Sequence, residues 1–202
     1  DGAFNPAIFP LVKYWGFYSR DSVVIDSTYI KDAILPLVQM DSILIKTSDD
    51  INNIIYKTNL KAKLDFNAIA QGYSVDLVAD FLKSNRIGNY MVEIGGEVSA
   101  NGLNSKGKSW RIGIERPVDS SYIGEYGFQR IIELKNKSLA TSGNYRKFKT
   151  IDGKKVVHTI DPKTGYPVEN NLLSVTVICD KAIEADALAT SFMVMGKDKA
   201  IN

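Results

Sequence analysis

Residues 70–114, AQGYSVDLVADFLKSNRIGNYMVEIGGEVSANGLNSKGKSWRIGI, set the fold class. From Ala70 to Lys83 the apolar positions Val75, Val78, Ala79 and Leu82 share one helical face. Tyr90 to Ile94 then reads as a strand stopped by Gly95-Gly96. Trp110, Ile112 and Ile114 alternate with Arg111, Gly113 and Glu115 as a half-buried strand. Outward from this stretch come further strands at Ser42–Lys46, Asn53–Lys57, Phe128–Leu134, Lys155–Ile160 and Leu173–Cys179. Leu60–Asp65 alternates apolar and basic residues and predicts another strand, ended by Asp65. Helices are predicted after Asn5-Pro6, over Tyr29–Val38 with Pro36 disturbing it, and over Ala182–Met195. Strands in runs with few helices between them point to α+β layering rather than a doubly wound sheet.

The 202 residues suffice for one large domain. With 45% hydrophobic and 24% charged residues, the composition is that of an ordinary globule. A net charge of +2 without a Lys/Arg cluster argues against nucleic acid as a partner. No apolar run approaches the ~20 residues of a membrane helix. Cys179 is the only cysteine, so no intrachain disulfide forms, and its place in LLSVTVIC reads as a packed small hydrophobe. The opening DGAFNPAIF reads as mid-protein sequence, with no initiator Met before it.

Five segments carry candidate chemistry. In LDFNAIAQGYSVD (64–76), a loop opening a helix offers backbone N–H groups to an anion; the plainer reading makes Asp65 a cap and Gly72 a packing glycine. Gly95-Gly96-Glu97 is either a close backbone approach to a ligand or a tight hairpin. SLATSGNYRKF (138–148), with Arg146 and Lys147 near its end, suits a phosphate or ribose, or simply a polar turn. HTIDPKTGYPV (158–168) holds the only histidine, His158, whose ordinary pKa lies near neutrality. In EADALATSF (184–192), Asp186 and Thr190 are helical neighbours four residues apart. A carboxylate and a hydroxyl beside small residues suit Mg²⁺ better than Zn²⁺, and equally make a plain Asp–Thr hydrogen bond. If they form a metal site, their oxygens should lie within ~4 Å and face the Asp65–Gln71 loop.

Taken together and in order, DGAFNPAIFPLVKYWGF, LDFNAIAQGYSVD, EIGGEVSANG, WRIGIERP, LATSGNYRKF, HTIDPKTGYPV and SVTVICDKAIEADALAT resemble the ApbE family of FAD:protein FMN transferases. The resemblance implies one ApbE-like domain over 1–202, lacking the family's N-terminal portion. It implies a T-fold-like α+β architecture of layered antiparallel sheets with packed helices. FAD is then contacted by Ala3, Phe4 and Asn5, by Asp65 and Gln71, and by the segment His158 to Ile160. Mg²⁺ is held by Asp186 and Thr190 with backbone oxygens of Ala68 and Ala189. A Thr or Ser hydroxyl of a target flavoprotein takes the FMN and AMP leaves; His158 is the candidate base, Asp186 the alternative.

Relatives of this kind imply acceptors such as flavin-carrying subunits of membrane redox pumps. They also imply a lipoprotein on the periplasmic face of a bacterial inner membrane, held by an anchor absent from these residues. Two departures stand out: Asn67-Ala68 where Gly-Gly is common, and Gln71 where Lys or Glu is common. Two other functions fit the same residues: an Mg²⁺-dependent FAD pyrophosphatase, and a non-catalytic FAD-binding module.

Overall fold

A computed structural model describes residues 2–18, 24–47, 53–117, 127–145, 148–151 and 153–201. The chain is α+β and divides into two compact units. Residues 1–66 and 149–169 make the first, and residues 67–148 and 170–202 the second.

In the first unit, Asn5 caps the 3-10 turn Pro6–Ile8 by accepting from Ala7 N at 2.8 Å, and α1 (Phe9–Tyr14) follows. The predicted helix at Tyr29–Val38 forms as a succession: α2 (Ser27–Tyr29), a π turn at Ile30–Ile34 and a 3-10 turn at Leu35–Val38. Pro36 explains the change of winding, because it brings no N–H to the ladder. Leu11, Trp15, Ile30, Ile34, Val38 and Ile160 form the buried core here. Two hairpin pairs complete the unit: β1 (Ile43–Thr47) with β2 (Asn53–Lys57), and β8 (Phe148–Ile151) with β9 (Lys154–Val157).

Two expected strands are corrected. Leu60–Asp65 is not a strand, because its backbone finds single partners instead of a ladder. Ala62 N donates to Asn59 O, Asp65 N donates to Pro6 O at 2.7 Å, and the Lys57 ammonium donates to the carbonyls of Leu60 and Ala62. The strand expected over Lys155–Ile160 ends at Val157. Beyond it the chain closes on itself: Val168 N donates to Thr159 O, Asp161 N to Tyr166 O and Gly165 N to Asp161 O. Gly165 sits at φ +80°, and its carbonyl accepts from the Trp15 indole at 2.8 Å. A side chain there would also meet Ile30, Leu35 and Leu11, so glycine suits both the backbone and the packing.

The second unit is layered. Its central sheet runs β10-β7-β4-β3, with every pairing antiparallel: β3 (Tyr90–Ile94), β4 (Glu97–Asn101), β7 (Lys137–Gly143) and β10 (Ser174–Cys179). One face takes α3 (Ala70–Ser84) and α4 (Ala182–Met195), α3 over β3 and α4 over β7 and β10. Val75, Ala79, Tyr90, Val92 and Ala182 are the core of that layer. The hairpin of β5 (Trp110–Glu115) and β6 (Phe128–Leu134) covers the other side, where Val98, Ala100, Leu134 and Leu139 are buried together. A short α5 (Lys197–Ile201) follows α4.

SLATSG, expected after a strand as either a phosphate- or ribose-positioning segment or a polar turn, is itself the strand β7 between β4 and β10. Its small residues have a packing reason. Alternation puts Ser138, Ala140 and Ser142 on one face, and α4 meets β7 with a fully buried stripe of Ala182, Ala185 and Ala189. Small on small lets helix and sheet approach closely. The hydroxyls stay satisfied: Ser138 donates to Ser99, Thr141 pairs with Thr176 and Ser142 with Thr190. Arg146 and Lys147 lie outside the described residues.

The helices touch at Gly72. A Cβ added there would stand 2.5 Å from the Ala182 carbonyl oxygen and 2.8 Å from Ile183 Cα, both backbone atoms. Gly72→Ala is therefore expected to cost roughly 1–3 kcal/mol of overpacking. At a few degrees per kcal/mol for a chain of this length, thermal unfolding should begin on the order of 5 °C lower. An unchanged Tm would show that the helices can separate freely.

Candidate functional site

The candidate residues fall into both units, and each group is coherent within its own. In the first unit, the Asn5 amide donates to Val38 O at 2.8 Å, tying the residues after Ala3 and Phe4 to the helical segment. Asp65 is brought beside them by its N–H on Pro6 O. The Tyr18 hydroxyl donates to the Asp65 carboxylate at 2.6 Å. Phe9 stacks on Tyr18 with ring centroids 4.9 Å apart, and the Lys63 ammonium stands 5.5 Å from the Phe9 ring centre. No sequence pattern singles out Tyr18, Phe9 or Lys63; folding brings Tyr18 to Asp65, Phe9 to Tyr18 and Lys63 to Phe9.

His158 stands half-buried just past β9, its ring edge-on to Phe17 at 6.4 Å between centroids. Ile160 points into the core and pairs its backbone with Pro167. Asp161 is a turn residue: its carboxylate accepts from Lys163 N at 2.8 Å.

In the second unit the sites gather at the start of α3. Ala68 lies in the turn before that helix, whose N-cap residue, Ile69, makes no side-chain cap hydrogen bond. The cap comes from α4, where the Asp186 carboxylate accepts from Gly72 N at 3.1 Å. Gln71 leans over the β3–β4 hairpin, its amide nitrogen occupying the space a side chain at Gly95 would need. Gly95 and Gly96 have φ of +67° and +108° and join paired Ile94 and Glu97, so the hairpin reading of this motif holds. Thr190 faces β7, where its hydroxyl meets Ser142 at 3.0 Å, while Ala189 is fully buried. Asp186 thus turns to the loop-and-helix segment and Thr190 to the sheet.

Asp186 is 5% exposed, and burial pushes its carboxyl up to about 6 against the smaller opposing effect of the Gly72 N–H. A carboxyl with a raised folded-state pKa favours the fold while protonated. Its stabilising effect is complete below about pH 4 and disappears as the pH climbs through about 6. Denaturation of the metal-free chain should therefore show stability falling over that interval relative to an Asp186→Asn variant, which keeps an acceptor for Gly72 N. Parallel curves for the two proteins would contradict this.

Among the described residues no three His, Cys, Asp or Glu side chains cluster as a metal site. A cation at Asp186 would have to complete its shell from hydroxyl, backbone and water oxygens. The site fits that description: the Asp186 carboxylate is buried and accepts from Gly72 N, and hydroxyl-bearing Thr190 follows one turn later on the same helix. All-oxygen coordination belongs to Mg²⁺ or Ca²⁺. Cys179, half-buried in β10, has its thiol pushed up by burial and then by Glu184 and Asp180, which agrees with a packing role.

A model of the ApbE family matches residues 1–202. The chain is 38% identical to the FAD:protein FMN transferase of Haemophilus influenzae over 202 residues, which is all of this chain and 57% of that protein. It is 39% identical over 203 residues to the protein of the same name from Vibrio cholerae, again over the whole chain and 58% of the relative. Among solved structures, the flavin transferase ApbE from Vibrio cholerae superposes with a TM-score of 0.83 at 39% identity, over 99% of this chain and 61% of that one. The ApbE protein from Thermotoga maritima gives a TM-score of 0.85 at 32% identity, over 100% and 63%. The chain thus spans less than two thirds of the length of these relatives.

Proposed function

Because the chain belongs to the ApbE family, we propose that it forms the catalytic part of an FMN transferase that moves FMN from FAD to a Thr or Ser hydroxyl of a target flavoprotein. The observation that carries this reading is identity of 38–39% over the whole chain to proteins named FAD:protein FMN transferase. In the reaction, the hydroxyl oxygen of the acceptor forms a bond to the FMN phosphorus of FAD. The bond from that phosphorus to the bridging oxygen breaks, and AMP leaves with the electron pair. The hydroxyl proton passes to a base, for which His158 is the candidate and Asp186 the alternative.

The residues near α3 and α4 suit Mg²⁺, with the Asp186 carboxylate and Thr190 hydroxyl as side-chain ligands and Ala68 and Ala189 as backbone ones. When bound, the ion would offset negative charge developing on the transferred phosphoryl group. The chain's own part is positioning. Asp186 is held at the start of α3, where the helix dipole also favours an anion such as a pyrophosphate. Ala3, Phe4, Asn5, Asp65, Gln71, His158 and Ile160 are the residues proposed to contact FAD. Phe17 would brace His158, the candidate proton acceptor, in one orientation. Redox-pump subunits are the proposed acceptors and the periplasmic face of a bacterial inner membrane the proposed location. No described helix is long and apolar enough to cross a membrane.

AMP release from FAD, followed with and without an acceptor peptide in the presence of Mg²⁺, tests the reading in the full-length protein. Release that requires the acceptor supports transfer. Release without it means hydrolysis, and no release means a binding module.

A further inference from the structure

At neither α3 nor α4 does the N-cap residue, Ile69 or Lys181, make a side-chain cap hydrogen bond. Each takes one from the other. Ala182 N donates to Asp76 Oδ1 at 2.8 Å and Ile183 N to Asp76 Oδ2 at 2.9 Å, so one carboxylate of α3 grips the first two N–H groups of α4. In return Gly72 N, the third residue of α3, donates to Asp186 Oδ2 at 3.1 Å. The exchange happens where the helices are closest, at the Gly72–Ala182 contact. Uncompensated N–H groups at a helix start are costly, and the positive end of the helix dipole there favours a negative charge, so each carboxylate has a definite preferred place.

We propose that Asp76 is a positioning residue that acts through α4 to hold the Asp186 carboxylate against the first turn of α3. The link is short and stiff. Ala182 and Asp186 are four residues apart in one helix, ~6 Å along its axis, with no joint between them. A shift or fraying at the start of α4 therefore moves Asp186, although Asp76 never touches it. Sequence position gives no hint of this, since Asp76 reads as one more charged residue on an amphipathic helix. The functional half of the proposal rests on Asp186 serving the transfer reaction; the geometric half does not.

Amide hydrogen exchange in the full-length protein tests the geometry without any ligand. In Asp76→Ala, exchange at Gly72 should accelerate tenfold or more relative to Val92 in β3, together with Ala182 and Ile183. Asp26→Ala, which removes the cap on Tyr29 N in the first unit, should leave Gly72 unchanged relative to Val92. If Ala182 and Ile183 alone accelerate in Asp76→Ala, the residue is a local cap and the proposal is overturned. Should Asp76→Ala fail to fold, Asp76→Asn, which keeps one oxygen acceptor, gives the same comparison in milder form. Binding of Mg²⁺ alone, by calorimetry, should weaken 10–100-fold in Asp76→Asn, the usual effect of losing a group that orients a ligand. Unchanged Mg²⁺ affinity in a variant with a loosened Gly72 would overturn the functional half. If wild type transfers no flavin at all, the proposed function fails while the exchange result still decides the geometry.

Discussion

Asp186→Asn in the full-length protein is expected to abolish Mg²⁺-dependent flavin transfer while leaving the fold intact. The substitution keeps an oxygen acceptor for Gly72 N and nearly the same shape, and removes only the charge. Metal-supplied charge stabilisation is worth several kcal/mol in a transition state. At 1.36 kcal/mol per tenfold, turnover should fall roughly 10³-fold or more. Stability near neutral pH should rise, because the variant no longer buries a carboxylate that burial already pushes up to about 6. Turnover within a few-fold of wild type, with the same Mg²⁺ requirement, would remove Asp186 from the site.

His158→Asn should lower turnover at saturating FAD by about 10²–10⁴-fold, the usual worth of a general base. Mg²⁺ binding should persist, since His158 is not a proposed ligand. The variant keeps a polar group beside Phe17 but loses the imidazole. If saturating FAD restores full turnover, His158 only helps to bind the substrate, and Asp186 takes over as the candidate base.

Much of the fold was legible because periodicity reports burial directly. Asn53–Lys57, Tyr90–Ile94, Phe128–Leu134 and Ala182–Met195 form with the bounds their patterns suggest. The failures share a physical cause. SLATSG looked like a turn because it lacks large apolar residues, yet it is a central strand whose small side chains fit the alanine stripe of α4. Leu60–Asp65 alternates as a strand should, but its hydrogen bonds go to a turn, a lysine and Pro6. Pairing partners far along the chain decide such cases, and local pattern does not contain them.

The candidate site was legible in part for the same reason. Asp186 stood out through its spacing to Thr190 and its small neighbours, and it does face the segment opening α3. Thr190 engages Ser142 across the sheet, a partner 48 residues away that spacing within one helix cannot suggest. Asp76 and Tyr18 were missed because nothing local distinguishes an aspartate that caps a second helix, or a tyrosine beside a distant carboxylate, from ordinary surface residues.

The intact mass of an acceptor flavoprotein, after incubation with the full-length protein, FAD and Mg²⁺, bears most directly on the proposed transfer. The acceptor should gain one FMN less one water on a Thr or Ser, and Ala at that acceptor position should abolish the gain. An acceptor whose mass stays unchanged while FAD is consumed would contradict the account and leave hydrolysis in its place.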